Sequence, residues 1–231
     1  MLKIPAADGY PPEPGRYLRG NDLSPVAVAV ILLYNQEELP PEIQDLVRIG
    51  VETGAALSGT IQTENIGIEK LVCNVVANPN IRYLIVFGPE SPGHSTGECL
   101  LRLVEKGVDH RRRILDTEAP TPYLFNLPLE HIERFRQQIK TIDLLNEGDP
   151  DLLRRAVWSC YQEKPTRFRQ YELYDPGAYP AEPLLGSLTW RVTKPEQEPK
   201  DQTERGQRQQ LKVLMERYRQ AAERKRAKSG T

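Results

Sequence analysis

The chain has little of what most catalytic and secreted classes require. Its three cysteines, Cys73, Cys99 and Cys160, lie far apart with no C-x-x-C pair. That argues against a disulfide framework and a thiolate zinc site and fits a reducing compartment. No apolar run exceeds Pro25–Leu33, well short of the roughly 20 residues a bilayer helix needs. The first 20 residues carry four prolines and several charges in place of an apolar signal core, so secretion is not expected and a cytoplasmic location is. Neither G-x-G-x-x-G nor G-x-x-x-x-G-K-[ST] occurs, which removes the usual dinucleotide and phosphate-loop readings. Ser91, Ser95 and Cys99 lie near His94, but no nucleophile elbow is expected around them and a hydrolase is set aside.

What is present is enough chain for one main domain with appendages and an uneven charge. Lys and Arg number 31 against 32 Asp and Glu over 231 residues. Residues 200–231 nevertheless hold ten basic and four acidic side chains, which leaves the rest about seven charges negative. An acidic domain with a basic tail is the reading, not a nucleic-acid binder.

Hydrophobic patterning gives the order of elements. Val26–Leu33 reads as a buried first strand, Glu42–Val51 as a helix after Pro40-Pro41, and Ile66–Val76 as a helix capped at Thr63 and ended by Asn78-Pro79. Ile81–Phe87 is a second buried strand, followed by a helix over 95–106. Arg113–Asp116 is a short strand candidate, Leu129–Thr141 an amphipathic helix, Ile142–Leu145 a strand and Leu152–Gln162 a helix started by Asp149-Pro150-Asp151. Tyr171–Thr193 reads as short strands packed on the domain, 194–206 as a charged linker and 207–228 as a helix. Alternating strands and helices predict an α/β fold, a Rossmann-like, mostly parallel sheet with helices on both faces. The expected organisation is an extended arm over 1–20, the α/β domain over 21–165, an extension over 166–193 and a linker with a basic helical tail over 194–231.

The sharpest chemistry is Gly93-His94-Ser95-Thr96-Gly97, just past the second buried strand, where α/β folds hold ligands. Glycine on either side of His94 would let a bulky planar ligand approach the backbone, and imidazole ligates metals. Position alone leaves a second reading open, a loop histidine that only hydrogen-bonds. Thr63-Glu64-Asn65 reads as a helix cap, with Thr63 accepting a first-turn amide and Glu64 favouring the dipole, or as further contacts to the ligand of His94. His110 and His131 read as surface residues.

Several runs together resemble one family. Asn21-x-x-Ser24-Pro25-Val26-Ala27-Val28, Thr63-Glu64-Asn65-Ile66-Gly67-Ile68-Glu69-Lys70, Asn78-Pro79-Asn80-Ile81-Arg82-Tyr83 and Gly93-His94-x-Thr96-Gly97 are similar, in order, to the A subunit of tetrahydromethanopterin S-methyltransferase. Arg134-Phe135-Arg136 and Asp175-Pro176-Gly177-Ala178-Tyr179 extend the likeness. The resemblance implies a corrinoid-binding domain carrying cobalamin or a related cobamide, with His94 as lower axial ligand of cobalt and Gly93, Thr96, Gly97, Thr63, Glu64 and Asn65 around the cofactor. It implies a methyl carrier that takes a methyl group from a methylated pterin onto cobalt and passes it to a thiol or another corrinoid enzyme. Its partners would be methyl-pterin-dependent methyltransferase proteins, with no nucleic acid. A rival reading is a corrinoid-binding or regulatory module that has lost turnover. The D-x-H-x-x-G pattern of other cobalamin proteins supplies an Asp to the imidazole. Here Pro92 stands in that place, and Glu90, Ser91 or a backbone carbonyl is expected to substitute. The family ends in a membrane anchor, whereas Gln207–Thr231 is charged throughout, so a soluble homologue is expected.

Overall fold

The computed structural model describes residues 2–33 and 38–188, with scattered positions between 202 and 214. Residues 1–191 and 192–231 form separate compact units. In the first, β1 (Tyr17–Arg19), β2 (Val26–Ile31), β3 (Leu57–Ile61), β4 (Tyr83–Gly88) and β5 (Lys140–Leu145) form one sheet in the order β1-β3-β2-β4-β5. All pairs are parallel except β1 with β3. The helices are α1 (Pro41–Glu52), α2 (Ile66–Val76), α3 (Thr96–Lys106), α4 (Leu129–Gln138) and α5 (Pro150–Ser159). A hairpin of β6 (Thr166–Phe168) and β7 (Tyr171–Leu173) follows.

β2 is buried along its whole length, as a central parallel strand covered on both faces must be. Its residues alternate between two cores. Val26, Val28 and Val30 join Leu46 and Val47 of α1 and Leu153 and Val157 of α5. Ala27, Ala29 and Ile31 join Val72 of α2, Leu100 of α3 and Phe135 of α4. Because β3 lies on one side of β2 and β4 on the other, the connections leaving β2 and β4 run to opposite faces. A crevice opens there at the carboxyl ends of the strands, the ligand position of open α/β sheets.

The α/β sheet expected from sequence is present, with local corrections. β3 is an element that the sequence patterning did not predict. Leu57-Ser58-Gly59-Thr60-Ile61 pairs on both sides, and a Cβ at Gly59 would lie 2.5 Å from that of Tyr17, so the glycine reflects β1 crossing closely. Arg113–Asp116 forms isolated bridges, Val108 to Ile114 and Arg113 to Tyr123, rather than a strand. α4 ends at Gln138, because Ile139 is extended and Lys140 already belongs to β5. The aromatic extension contributes strands only in the β6–β7 hairpin, and residues 174–188 are irregular. The 194–206 linker and 207–228 helix lie mostly outside the described residues; the described positions from 202 to 206 are helical, not linker. His131 is buried on α4, 9% exposed, where a surface position was expected.

The Arg82, Arg134 and Asp175–Tyr179 motifs tie the extension down. Arg134 donates to the carbonyls of Ala181 and Glu182, both at 2.9 Å, and lies 4.3 Å over the Tyr179 ring. Arg82 donates to the Gly177 carbonyl, and Lys3 pairs with Asp175 at 2.6 Å. Among the described residues no helix is long and apolar enough to cross a membrane.

Candidate functional site

Three chain segments meet above β3 and β4. From the loop after β4 comes His94, from the loop after β3 comes Glu64, and from the long α3–α4 connection comes Thr121. His94 Nδ1 lies 3.1 Å from Glu64 Oε2. The Glu64 side chain is 2% exposed and that of His94 26%, so the carboxylate is interior and the imidazole sits at the surface of the crevice. Glu64 Oε1 accepts from Thr121 Oγ1 at 2.6 Å and from the Thr121 amide at 3.2 Å. Asn65 Nδ2 donates to Thr121 Oγ1 at 3.2 Å, which orients that hydroxyl.

The electrostatics follow from these contacts. Burial pushes the Glu64 carboxyl upward, but the Thr121 hydroxyl, its own backbone amide and His94 outweigh it, and the net direction is below the ordinary carboxylate value. At neutral pH Glu64 is therefore ionised and accepts only. Nδ1 then donates to the carboxylate, and in the neutral ring the lone pair is on Nε2.

The loop that carries His94 is built by Glu90. Its carboxylate accepts from the amides of Ser91 at 2.7 Å, Gly97 at 3.0 Å and Glu98 at 2.7 Å. It thereby caps α3, whose own N-cap, Ser95, makes no capping bond. The His94 and Ser95 amides close back on the Ser91 carbonyl. Glu90, Ser91 or a backbone carbonyl was expected beside the imidazole; Glu90 is instead the helix cap, and Glu64, 30 residues earlier, is the partner of Nδ1. A carboxylate spanning two first-turn amides is fully engaged there.

The predicted site residues divide by what they touch. Thr63 accepts the Gly67 amide at 2.8 Å, and Asn65 accepts that of Ile66 at 2.7 Å, so the expected caps are present. Thr96 is buried and donates to the Gln62 carbonyl at 3.4 Å, binding the two loops together. Gly93 has a φ of +80° and nothing near a would-be Cβ. Gly97 is a packing glycine, since a Cβ there would strike the Leu145 side chain. Thr121 escaped the sequence reading; its signal is the Pro120-Thr121-Pro122 run, which stiffens the backbone that delivers it.

Nucleophilic chemistry finds no support. Gly93–Gly97 does spell G-x-S-x-G, and Ser95 is left-handed at φ 46°. The sharp turn directly off a strand is missing, however, because β4 already ends at Gly88, and among the described residues Ser95 bonds to no base. The Cys99 thiol is buried against the Glu64 carbonyl and pushed up to about 12 by burial, so it is no thiolate at neutral pH. Nor, among the described residues, do three or more His, Cys, Asp or Glu gather to hold a metal ion.

Fold and site together define an α/β protein that presents a single carboxylate-oriented imidazole at the switch point of its sheet. Residues 3–190 match the family model for the A subunit of tetrahydromethanopterin S-methyltransferase, and the chain belongs to that family. The A1 form of this subunit from Methanobrevibacter ruminantium is 37% identical over 169 residues, 73% of this chain and 64% of that protein. The A2 form from Methanothermobacter thermautotrophicus is 38% identical over 184 residues, 79% of this chain and 88% of its own length. The corresponding protein of Methanococcus aeolicus is 34% identical over 187 residues, 80% of this chain and 69% of its own length. The chain thus spans nearly all of one relative and about two thirds of the others.

Proposed function

We propose that this chain is a corrinoid-binding methyl carrier in which His94 would hold the cobalt of a bound cobamide through Nε2. The observation that carries the reading is the Thr121–Glu64–His94 linkage, which engages Nδ1 and orients the ring, so that Nε2 would be the nitrogen given to cobalt. A metal-bound imidazole characteristically gives its other N–H to a carboxylate, which raises its basicity. One imidazole also suits a metal that brings its own equatorial donors. The Ser91 hydroxyl, buried and without a partner among the described residues, adds a polar group one turn before His94.

A bound cobamide supplies a cobalt centre that accepts and releases a methyl group. This chain's residues do the rest. Glu64 stays ionised and holds the Nδ1 hydrogen, Thr121 and Asn65 keep Glu64 in place, and Glu90 fixes the loop that sets the height of His94. The methyl donor is a methylated pterin, in keeping with the names of its relatives, and the acceptor is a thiol or a further corrinoid protein.

Absorbance titration with aquocobalamin and methylcobalamin tests the reading. Wild type should bind with a spectral shift of axial nitrogen exchange that His94→Ala abolishes. No binding by wild type, or a shift unchanged in His94→Ala, would contradict it. Methyl transfer by the loaded protein would separate a carrier from a module that binds without turnover.

A further inference from the structure

The helical repeat divides α5 into two sides. Leu152, Leu153, Ala156 and Val157 are buried in the core formed with β2 and β4. The same repeat carries Asp151, Arg154, Arg155 and Trp158 round to the solvent side. Trp158 stands near the middle of that side, 59% exposed, and belongs to neither core. An indole there contributes nothing to the packing of the fold and works against solubility. Tryptophan and arginine side by side are the residues that anchor protein–protein contacts.

The two arginines have binding capacity to spare. Arg154 lies 3.8 Å from Asp151 and Arg155 3.9 Å from Asp149, both beyond hydrogen-bond length. Asp149 is already engaged as the α5 cap, accepting the Asp151 amide. Each guanidinium can therefore take a carboxylate from another molecule, the strong form of such a bond. A second copy of this chain is a poor source of those carboxylates, because a two-fold contact over this face would set the same two arginines near its axis.

Position supplies the purpose. α5 starts at the carboxyl end of β5 and runs back to the amino ends of the strands, where Tyr161 bonds Ser24, just ahead of β2, at 2.8 Å. His94 lies past the other end of β4, a strand of six residues or about 20 Å. The helices next to the His94 and Glu64 loops, α3 and α2, pack on the opposite face of the sheet. A carrier has to open one crevice to a methyl donor and then to an acceptor. A protein that holds the carrier through both exchanges must grip it elsewhere. We infer that the Trp158 face docks a partner protein that offers an apolar pocket to the indole and carboxylates to Arg154 and Arg155, a role that rests on the carrier reading above.

The test is photo-cross-linking of the full-length protein, with p-benzoylphenylalanine in place of Asp151, in extract of the native cells. Irradiation should join it to one other protein, at a segment that contains Asp or Glu. That protein, once purified, should bind wild type, and Trp158→Ala and the double variant Arg154→Glu, Arg155→Glu should each weaken binding at least about tenfold. Reversing the partner's cross-linked carboxylates to lysine should restore binding to the double variant. Far-UV circular dichroism should be unchanged in both variants, since the altered side chains are exposed. No cross-linked protein, cross-links only between two copies, or a partner indifferent to both variants overturns the inference. Sedimentation with phosphatidylglycerol vesicles that Trp158→Ala abolishes also overturns it and gives the face to a membrane. Failure of wild type to bind corrinoid overturns the carrier reading alone, because none of these readouts uses the cofactor.

Discussion

A carboxylate as buried as Glu64 is costly unless several donors replace its water. Two bonds from Thr121 and one from His94 do so, and they also dictate which ring nitrogen carries the hydrogen. Glu64→Gln keeps the shape but exchanges an acceptor for an amide that need not receive Nδ1–H. It should weaken axial ligation about 10- to 100-fold, read as corrinoid affinity, while far-UV circular dichroism stays unchanged. The linkage has a sign in pH as well. The folded carboxyl titrates below its ordinary value of 4.5, so its stabilisation is complete above that value and lost as pH falls through the lower folded one. Thermal melts from pH 6 to 3 should lose stability at the acid end, less so in Glu64→Gln. His94 was legible in the sequence because two glycines frame it after a buried strand. Glu64 was visible only as a motif member, since pairing across 30 residues leaves no local trace.

At the scale of elements, α3 and its preceding loop act as one device. Glu90→Ala removes the acceptor for two first-turn amides and should cost about 1–2 kcal/mol. Gly97→Ala drives a methyl group into Leu145 on β5 and should cost about 1–3 kcal/mol. Denaturant melts of the ligand-free protein check both, and an unchanged Gly97→Ala midpoint would return that glycine to a purely ligand-contacting role. Period and capping made β2, β4 and α1 to α5 readable. β3 was not, because Ser58 and Gly59 carry no strand signal and their pairing is with β1 and β2, partners distant in sequence. α4 was read too long because Ile139, at its extended cap, continues the helical spacing of the apolar residues.

Within the unit 1–191, the described segment 174–188 is tied to the helices of the sheet domain. Arg134, buried under Tyr179, closes the segment 174–188 against α4, and Arg134→Met leaves two carbonyls without a donor. A loss on the order of 3 kcal/mol and new proteolytic cleavage between 174 and 188 are expected. On the same helix His131 is buried with Nδ1 unbonded among the described residues, Glu130 Oε1 being 3.9 Å away. Burial lowers its pKa below the ordinary 6.5, so the unfolded chain takes up the proton first, and stability should rise with pH from the lowered folded value up through the ordinary one. His131→Phe should flatten that slope, which lies above the window of Glu64. None of this clamp was predicted as such: Arg134 and Tyr179 entered the sequence reading only as family motifs, and cation–ring packing has no periodic signature.

The claim on which the functional account turns is that the nitrogen beneath cobalt belongs to His94. Electron paramagnetic resonance of the protein loaded with Co(II) cobalamin, prepared with ordinary and with 15N-labelled histidine, reads that nitrogen directly. The account predicts that labelling converts the axial superhyperfine pattern from a triplet to a doublet, and that His94→Ala removes the effect. A triplet indifferent to the label would show the cobamide's own base still on the metal and would contradict it.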